Sequence, residues 1–374
     1  MKAIVIGAGI TGTFASLDLA TRGVETVLLE RAPSTSGATI AIGGVIHSGA
    51  RFAALNDTLT KTCKTENEVW RHIGKDFLKG EAGYFIRLDK DDKYAENWWG
   101  GLKKAGILAR EVPVSEIKAT GLKRAIIQEA VETPEAIIDL REFLFHLLGK
   151  AVESGVLYIN NASWQGNYLG NGEYRVKVKR GSSELEIDGY VINATGSEIP
   201  NVVKSLTGKV KKYEKFRGSH LGLRVQINGV LEKMRAPGFA DLFSSFNGQT
   251  LITPTLEPFD GLTINEKEYQ TLMAGARELF DVGPSDVTGS LSAPRLSYDQ
   301  GASLMKTDYL EEIDGLINAY SSNFTCARLV AEKAADLLSI KLGIKKKSVT
   351  SSIQIRPETA QLNSTVNFSP SDKF

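Results

Sequence analysis

The alternation of apolar and polar positions over the first thirty residues predicts a strand, a helix and a second strand. Residues 2–6 form a short apolar run that ends in β-branched side chains, which indicates a buried parallel strand. A helical pattern follows over 10–22, and Gly23 is placed to end that helix. A second apolar run over 24–29 completes a βαβ unit.

The turn between the first strand and the helix is Gly7-Ala8-Gly9-Ile10-Thr11-Gly12, a GxGxxG pattern in register with both elements. Gly7 allows the tight turn, Gly9 lets the backbone approach a pyrophosphate, and Gly12 allows helix and strand to pack closely. The helix N-terminus offers N–H groups and partial positive charge to phosphates. Glu30 ends the second strand, where an acid binds ribose hydroxyls. This order indicates a dinucleotide site, and a glycine-rich turn of another α/β protein is the alternative.

The rest of the chain alternates helices with strands and includes an antiparallel meander. Predicted helices cover 55–73, 90–104, 139–155, 266–280 and 324–342. Predicted strands cover 80–88, 157–160 and 316–320, the meander covers 164–190, and further strands lie within 210–228 and 242–263. The sequence does not decide whether residues 352–355 form a further strand.

Composition narrows the class of protein. The chain has 374 residues, 42% hydrophobic and 24% charged, so we expect an ordered globule with two domains, or one domain with a large insertion. A net charge of +1 gives no electrostatic reason for nucleic acid as a partner. Cys63 and Cys326 suit a reducing cytosol, and the four histidines form no zinc pattern.

These features predict a cytoplasmic protein. The first strand starts the chain, so no cleaved signal is expected, and every apolar run is shorter than the ~20 residues that span a bilayer. Any membrane contact is therefore expected to be peripheral, on the inner face of the cell membrane, or to be made through a partner.

Candidate chemistry is concentrated in the segment 40–52. It combines three glycines with His47 and Arg51 in apolar surroundings, which indicates close approach of a flat or bulky group. A strand edge with one arginine reaching solvent is the alternative. Further along, the strand that closes on Ala194-Thr195-Gly196 is similar to the strand that ends beside the nucleotide in flavin enzymes.

Several motifs resemble those of the FAD-dependent glycerol-3-phosphate dehydrogenases, within the D-amino-acid-oxidase-like flavoproteins. The segment 47–52 resembles the family's HSGARY motif with Phe52 for Tyr, and 217–220 resembles KGSH with Arg217 for Lys. Residues 292–295 resemble a second arginine site, Lys306 lies near a third cationic position, and 325–333 resembles an LTTYRLMAE-type helix. The likeness extends from Met1 to about Gly343. The chain departs from the family at 321–323, where Ser-Ser-Asn replaces Gly-Gly-Lys.

The resemblance implies an α/β (α+β) fold. It has a Rossmann-like FAD-binding domain and an antiparallel-sheet substrate domain, as in D-amino-acid oxidase and glutathione reductase. The FAD domain is expected at 1–70, 140–205 and 316–345, the substrate domain at 71–139 and 206–315, and a short tail at 346–374.

FAD is expected rather than NAD, because the glycine fingerprint lies at the extreme N-terminus and the Ala-Thr-Gly strand returns late. The last helix begins near Phe324, and its N-terminus is expected to stabilise negative charge on the reduced ring. The predicted cofactor-binding residues are Gly7, Gly9, Ile10, Thr11, Gly12, Glu30, Arg31, Ser36, Gly37, Ala38, Thr39, His47, Ser48, Gly49, Thr195, Gly196, Asn323, Phe324 and Thr325.

The implied reaction is oxidation of glycerol 3-phosphate to dihydroxyacetone phosphate, with hydride passing from C2 to flavin N5. His220 is the expected base, since a histidine titrates near pH ~6.5, although a histidine hydrogen-bonded within a sheet is the alternative. Arg51 and Arg295 are expected to clamp the phosphate, and Lys306 to add a point charge. Arg295 by itself fits a surface residue equally well.

The electrons are expected to leave to a quinone or another acceptor, through a membrane-anchoring or electron-transfer partner, and a homodimer is left open. One rival function is FAD-dependent oxidation of a 2-hydroxy acid such as L-2-hydroxyglutarate, or of an amine, because several cations also suit a dicarboxylate. A rival of another class is a flavin-bearing electron-transfer subunit with little catalysis of its own. No metal is predicted.

Overall fold

The chain forms two compact units, which are seen in a computed structural model. The first unit draws on 1–40, 141–214 and 307–374, and the second on 41–140 and 215–306. The segment 41–70, predicted for the FAD domain, thus belongs to the second unit. Within the described residues no helix is long and apolar enough to cross a membrane. The structure describes residues 2–33, 37–88, 92–210, 213–235, 238, 240–246, 248–297, 308–321 and 323–357.

Helices and strands are numbered here in chain order, within the described part of the chain. The helices are α1 Ile10–Thr21, α2 Asp57–Ile73, α3 Asp92–Ala105, α4 Leu140–Glu153, α5 Ile199–Thr207, α6 Glu266–Leu279 and α7 Ala327–Lys341. The strands are β1 Lys2–Ile6, β2 Glu25–Leu29, β3 Val45–Ile46, β4 Leu78–Gly80, β5 Gly83–Arg87, β6 Arg110–Glu111, β7 Glu129–Thr133, β8 Ala136–Ile138, β9 Leu157–Ile159, β10 Ser163–Gly170, β11 Glu173–Arg180, β12 Ser183–Asn193, β13 Glu214–Leu223, β14 Val230–Lys233, β15 Leu242–Phe246, β16 Gln249–Thr253, β17 Glu257–Pro258, β18 Val287–Ser297, β19 Asp308–Ile313 and β20 Leu316–Ser321.

The first unit is built on a sheet in the order β10-β11-β12-β1-β2-β9, and β20 pairs with both β12 and β19. β1 runs parallel to β2 and β12, β2 runs parallel to β9, and β12 runs parallel to β20. Parallel strands are covered on both faces, which explains why β1 is almost entirely apolar. Helix α1 packs against α7, so the predicted βαβ unit is present and is joined to the last helix.

The predicted meander is also confirmed, because β10, β11 and β12 pair antiparallel in sequence order. Asn171 and Gly172 join β10 to β11 with φ of 54° and 82°. Two consecutive positive φ values are typical of the tight hairpin turn that asparagine and glycine favour. The local sequence therefore sets this hairpin without help from distant residues.

The second unit is built on a nine-stranded sheet in the order β17-β13-β16-β15-β14-β5-β7-β6, with β18 paired to β13. One face of this sheet is buried against α6, and Leu221, Phe243, Leu272 and Ala276 belong to the same apolar cluster. Helix α6 begins at a capping box, in which Asn265 accepts a hydrogen bond from the backbone of Glu268. A smaller sheet, in the order β3-β8-β4, lies in the same unit.

Some elements differ from the sequence predictions. Helix α5 was not predicted, although Pro200 in its first turn and Gly208 at its C-cap, with φ of 69°, are local signals for it. The predicted strand 80–88 is divided into β4 and β5, and the predicted last helix opens with a 3-10 turn over Phe324–Cys326. Residues 353–356 form no strand, so the strand left open at 352–355 is absent.

Helix α3 holds the segment that carries Arg51. The Trp98 indole N–H donates to the Ala50 carbonyl at 2.8 Å. Gly101 lies so close to the same segment that an added Cβ would be 1.8 Å from the Ala53 carbonyl oxygen. Neighbouring Gly100 is exposed, and an added Cβ there would meet nothing within 4 Å. The glycine pair thus offers a matched test of this packing.

We predict that Gly101→Ala lowers the free energy of unfolding by about 1–3 kcal/mol, because the backbone of Ala53 must move. Gly100→Ala is the control and raises it by up to about 1 kcal/mol through helix propensity. Urea unfolding followed by circular dichroism measures both variants. Equal effects of the two substitutions would contradict the packing of α3 on this segment.

Candidate functional site

The glycine turn of the first unit forms an open anion cradle. Gly7 has φ of +102°, and a Cβ at Gly12 would lie 1.9 Å from the Gly7 carbonyl oxygen, so both positions require glycine. Gly9 has φ of −70° and ψ of −180°, and it precedes α1 without providing a side-chain cap. The first turn of α1 has no acidic residue. Its N–H groups and its dipole thus suit a phosphate, and this loop fits the pyrophosphate of a dinucleotide.

Glu30 lies at the end of β2, beside this cradle. One carboxylate oxygen accepts from the Ala8 backbone N–H and the other from the Ala32 N–H, each at 2.9 Å. Each carboxylate oxygen has two lone pairs, so both retain capacity for a ribose hydroxyl. Thr39 packs over the same turn, since its Oγ1 accepts from the Ile10 N–H at 3.3 Å. The predicted residues Glu30 and Thr39 are therefore brought to the glycine turn.

A buried asparagine pair lies where β12 ends, with Asn193 as the last residue of β12 and Asn318 opposite it within β20, and the sequence analysis missed it. Asn193 donates to the Asn318 Oδ1 at 2.7 Å, and its own Oδ1 accepts from the Thr195 hydroxyl at 2.7 Å. The Asn318 side-chain nitrogen is buried without a hydrogen-bond partner. Ligands of open parallel sheets bind at this end of the strands. An unsatisfied buried donor there supports a bound polar group, and asparagine within an apolar strand was the available signal.

The remaining predicted residues of the first unit lie in turns or in the first turn of α1. Asn323 accepts from the Thr325 N–H at 2.9 Å and so caps the turn before α7. Gly196 has φ of +61° after Thr195. Arg31 is largely exposed, and its guanidinium lies 3.9 Å from Glu198. Ile10, Thr11, Gly37, Ala38 and Phe324 lie in this unit as well, whereas Ser36 lies outside the described residues.

In the second unit, strand register places two candidate groups in one row of the nine-stranded sheet. Glu232 pairs with Leu242, and Leu242 pairs with Thr253. Strand β16 pairs antiparallel with β13, with Ile252 opposite Leu221. Extending that register by one residue places Thr253 opposite His220. Residues in one row point to the same side of a sheet, so His220 and Glu232 share a face. They are three strand spacings apart, about 14 Å.

The face that carries His220 and Glu232, called here the site face, lies opposite α6. Along β13 the side chains alternate, so Arg217 and Ser219 point toward α6 and bond its Glu268. Gly218 points to the site face, where an added Cβ would lie 2.5 Å from the Arg295 Nε. The glycine two residues before His220 thus admits the Arg295 guanidinium to the site face.

His220 is buried, with 3% of its surface exposed, and neither ring nitrogen has a hydrogen-bond partner. Burial, aided by the positive charge of Arg295, lowers the pKa of His220 to about 3. The imidazole is therefore neutral at physiological pH and can accept a proton. The expected alternative, a histidine hydrogen-bonded within the sheet, is not what the structure shows.

The network behind His220 is structural. Arg217 donates to Glu268 through Nε at 3.0 Å, and Ser219 donates to the same carboxylate at 2.7 Å. Burial alone would favour the protonated acid, but the hydrogen bonds from Arg217, from the Asn265 backbone, from Ser219 and from Thr255 outweigh it and lower the pKa of Glu268 to about 2. Arg217, which replaces the family's lysine, thus anchors β13 to α6.

Arg51, which is expected to clamp the phosphate, has its guanidinium paired with Glu232. Both side chains are buried, at 6% and 2% exposure. Burial raises the pKa of Glu232 to about 7, although the charges of Arg51 and His47 act in the opposite direction. Glu232 was missed in the sequence, where an acid directly after the apolar pair Val230-Leu231 was the signal.

His47, Ser48 and Gly49 lie in the second unit and have partners within it. The His47 Nδ1 lies 3.3 Å from Glu135, and the Ser48 hydroxyl donates to the same carboxylate at 2.6 Å. An added Cβ at Gly49 would lie 2.3 Å from the Thr60 carbonyl oxygen, so packing on α2 explains this glycine. Glu135 was also missed. Lys306 lies outside the described residues, within which no group of three or more His, Cys, Asp or Glu could hold a metal.

Comparison with known proteins finds a matching family and similar proteins. The family model described as FAD dependent oxidoreductase matches residues 2–337. Among curated proteins, one subunit of the anaerobic glycerol-3-phosphate dehydrogenase of Haemophilus influenzae is 25% identical, over 98% of this chain and 71% of that protein.

Solved structures share the fold. The L-alpha-glycerophosphate oxidase of Mycoplasma pneumoniae, with FAD bound, has a TM-score of 0.74 and 14% identity, covering 90% of this chain and 94% of that one. The L-proline dehydrogenase of P. horikoshii has a TM-score of 0.74 and 20% identity, covering 94% of this chain and 96% of that one. The predicted fold class is confirmed.

We predict that Gly9→Ala leaves a folded protein that binds FAD at least about tenfold more weakly, because the methyl group occupies the approach of a pyrophosphate to the backbone. The backbone angles of Gly9 suit alanine, and the added Cβ would lie 3.3 Å from Thr39. Flavin absorbance per protein and the melting temperature measure the two effects. Gly289→Ala, an exposed position where an added Cβ meets nothing within 4 Å, is the control. Full FAD content in Gly9→Ala would remove this loop from the cofactor site.

Proposed function

Because the chain belongs to the family of FAD-dependent oxidoreductases, we propose that it oxidises the C2 hydroxyl of glycerol 3-phosphate to the ketone of dihydroxyacetone phosphate. Its cofactor is FAD, as predicted. The observation that carries the proposal is His220, a buried neutral imidazole with two unpartnered nitrogens beside the positive charge of Arg295.

In this proposal His220 takes the proton of the C2 hydroxyl as the alcohol is oxidised. FAD, when bound, takes up the hydride that leaves C2. The glycine turn holds the diphosphate of the cofactor, and Glu30 and the Asn193–Asn318 pair bind its polar groups. Burial keeps water away from His220, so the imidazole is deprotonated before substrate arrives.

Arg295 is proposed as the principal phosphate ligand, because its guanidinium reaches the site face across Gly218. Its charge also acts on His220, so a phosphate bound to Arg295 screens that charge and makes the histidine a stronger base. Arg51 is a second phosphate ligand only if its charge is released from Glu232. Lys306 remains a third candidate from the sequence.

The electron acceptor is proposed to be a quinone or another carrier, reached through a partner protein. The relative from Haemophilus influenzae is one subunit of a dehydrogenase, which supports a multi-subunit assembly for this chain too. A companion protein is expected to co-purify with this chain from native membranes.

A second candidate function is oxidation of a 2-hydroxy acid or an amine. The observation that favours it is the pairing of Arg51 with Glu232, which leaves Arg295 as the guanidinium acting on His220. One guanidinium suits one carboxylate, and fork-to-fork pairing with a carboxylate is as good as with a phosphate.

We predict that anaerobic mixing of the purified yellow protein with glycerol 3-phosphate bleaches the flavin absorbance. The controls are glycerol, L-2-hydroxyglutarate and L-proline at equal concentration. Bleaching by L-2-hydroxyglutarate or L-proline alone would transfer the enzyme to the second candidate function. A flavin that stays oxidised with every compound would favour an electron-transfer subunit.

We also predict that His220→Gln lowers kcat by about 10²- to 10⁴-fold, the contribution typical of a general base, while FAD remains bound. His146→Gln, in the first unit, is the control and leaves kcat within about twofold of wild type.

Because the pKa of His220 is lowered to about 3, its protonation does not reduce kcat/KM of the wild type between about pH 7 and about pH 5. Steady-state kinetics with an artificial acceptor across pH tests both statements. A variant that keeps full kcat would exclude His220 as the base.

A further inference from the structure

The second unit buries two carboxylates and two basic groups together. Arg51 is paired with one oxygen of Glu232, and His47 lies 3.3 Å from Glu135. The side chains of Glu232 and Glu135 are 2% and 0% exposed. The proposed reaction by itself does not require such a cluster.

One carboxylate oxygen of Glu232 has a hydrogen-bond partner and the other has none. Its Oε1 contacts Arg51, whereas its Oε2 is buried without a hydrogen-bond partner. Buried polar atoms without partners are uncommon, because each forgoes the hydrogen bonds of water. The charged groups acting on Glu232 are Arg51, His47, Glu135 and Asp241. The last of these is itself paired with Arg235 at 2.5 Å.

The charges of Arg51 and Glu232 balance only without a ligand. The Arg51 guanidinium beside an ionised Glu232 is one positive charge against one negative charge. An anionic group that pairs with Arg51 adds a negative charge in a buried place, where an unbalanced charge is costly. A proton taken up by Glu232 restores the balance.

We propose that Glu232 is a proton-exchanging counter-ion of Arg51, which is ionised when the site is empty and takes up one proton when the anionic group of the substrate pairs with Arg51. This inference rests on the proposed function in one respect, the assignment of Arg51 to the anion site. The proton comes from solvent and enters Oε2, and no covalent bond to the substrate is made or broken. The protonated Oε2 then donates a hydrogen bond to the anion, which gives the idle oxygen its partner.

This exchange makes anion binding depend on pH. Near-complete burial holds the pKa of Glu232 at about 7, so at about pH 8 roughly nine in ten molecules carry the ionised form that competes for Arg51. Anion affinity at about pH 8 is then about tenfold lower than at about pH 6, since the anion binds the protonated form. The substrate's own charge is a separate variable, so the probe must not titrate.

The test uses the FAD-loaded protein and sulfate, a dianion whose charge is constant near neutral pH. Isothermal titration calorimetry in two buffers of different ionisation enthalpy gives both Kd and the number of protons taken up. For the wild type we expect about 0.9 proton per sulfate at about pH 8 and about 0.1 at about pH 6. Glu232→Gln is expected to take up no proton and to bind sulfate about tenfold more tightly than wild type at about pH 8.

Glu278→Gln is the matched control, because Glu278 pairs with Lys233, the neighbour of Glu232 that points to the α6 face. It should behave as wild type in both affinity and proton uptake. The wild-type proton count needs no variant, so the proposal stays testable if Glu232→Gln fails to fold.

Sulfate binding without proton uptake, no sulfate binding at all, or uptake that persists in Glu232→Gln and disappears in His47→Gln would each overturn the proposal. Flavin bleaching by glycerol 3-phosphate judges the proposed function separately. If glycerol 3-phosphate bleaches the flavin but sulfate binds without proton uptake, the proposed role of Glu232 is excluded and the proposed function stands. If sulfate binding is proton-linked but the flavin is not bleached, the anion site stands and glycerol 3-phosphate is excluded as the substrate.

Discussion

Strand register in the nine-stranded sheet is the constraint on which the candidate chemistry depends. His220 and Glu232 share a face only because three successive strand pairings are in step. A slip of one residue along β13 would turn His220 toward α6 and bring Arg217 to the site face. Helix α6 opposes such a slip, since Arg217 and Ser219 of β13 both donate hydrogen bonds to its Glu268. The packing of α6 against one face of the sheet thus determines which side chains the site face presents.

The buried carboxylates on the two faces of the sheet have pKa values shifted in opposite directions. Glu268, on the α6 side, is surrounded by donors from Arg217, Ser219 and Thr255, and these hold it ionised. Glu232, on the site face, has Arg51 on one oxygen and nothing on the other, and burial prevails. A satisfied carboxylate fixes a structure, whereas an unsatisfied one can change its charge at a modest cost. The sheet therefore separates a structural acid from a titrating one.

Local chemistry determines what could be predicted from the sequence. The βαβ unit, the glycine turn and the hairpin at Asn171-Gly172 depend on backbone conformations that neighbouring residues set, and all are present. Arg51 was expected to clamp a phosphate, but its partner Glu232 lies 181 residues away, beyond the reach of any local pattern. The same holds for Asn193 and Asn318, which are 125 residues apart. A motif can indicate a charged residue, but it does not show the distant residue that already balances this charge.

This balance bears on the charge of the substrate. With Glu232 ionised, the charge of Arg51 is cancelled by its counter-ion. With Glu232 protonated, as the proposed exchange requires, the charge of Arg51 is open to a bound anion. Under that proposal, the protonation of one buried acid changes by one unit the charge that the site offers to an anion. An enzyme for phosphorylated alcohols and one for carboxylates can therefore share this fold and this histidine, and differ in whether the counter-ion of a single arginine keeps its proton.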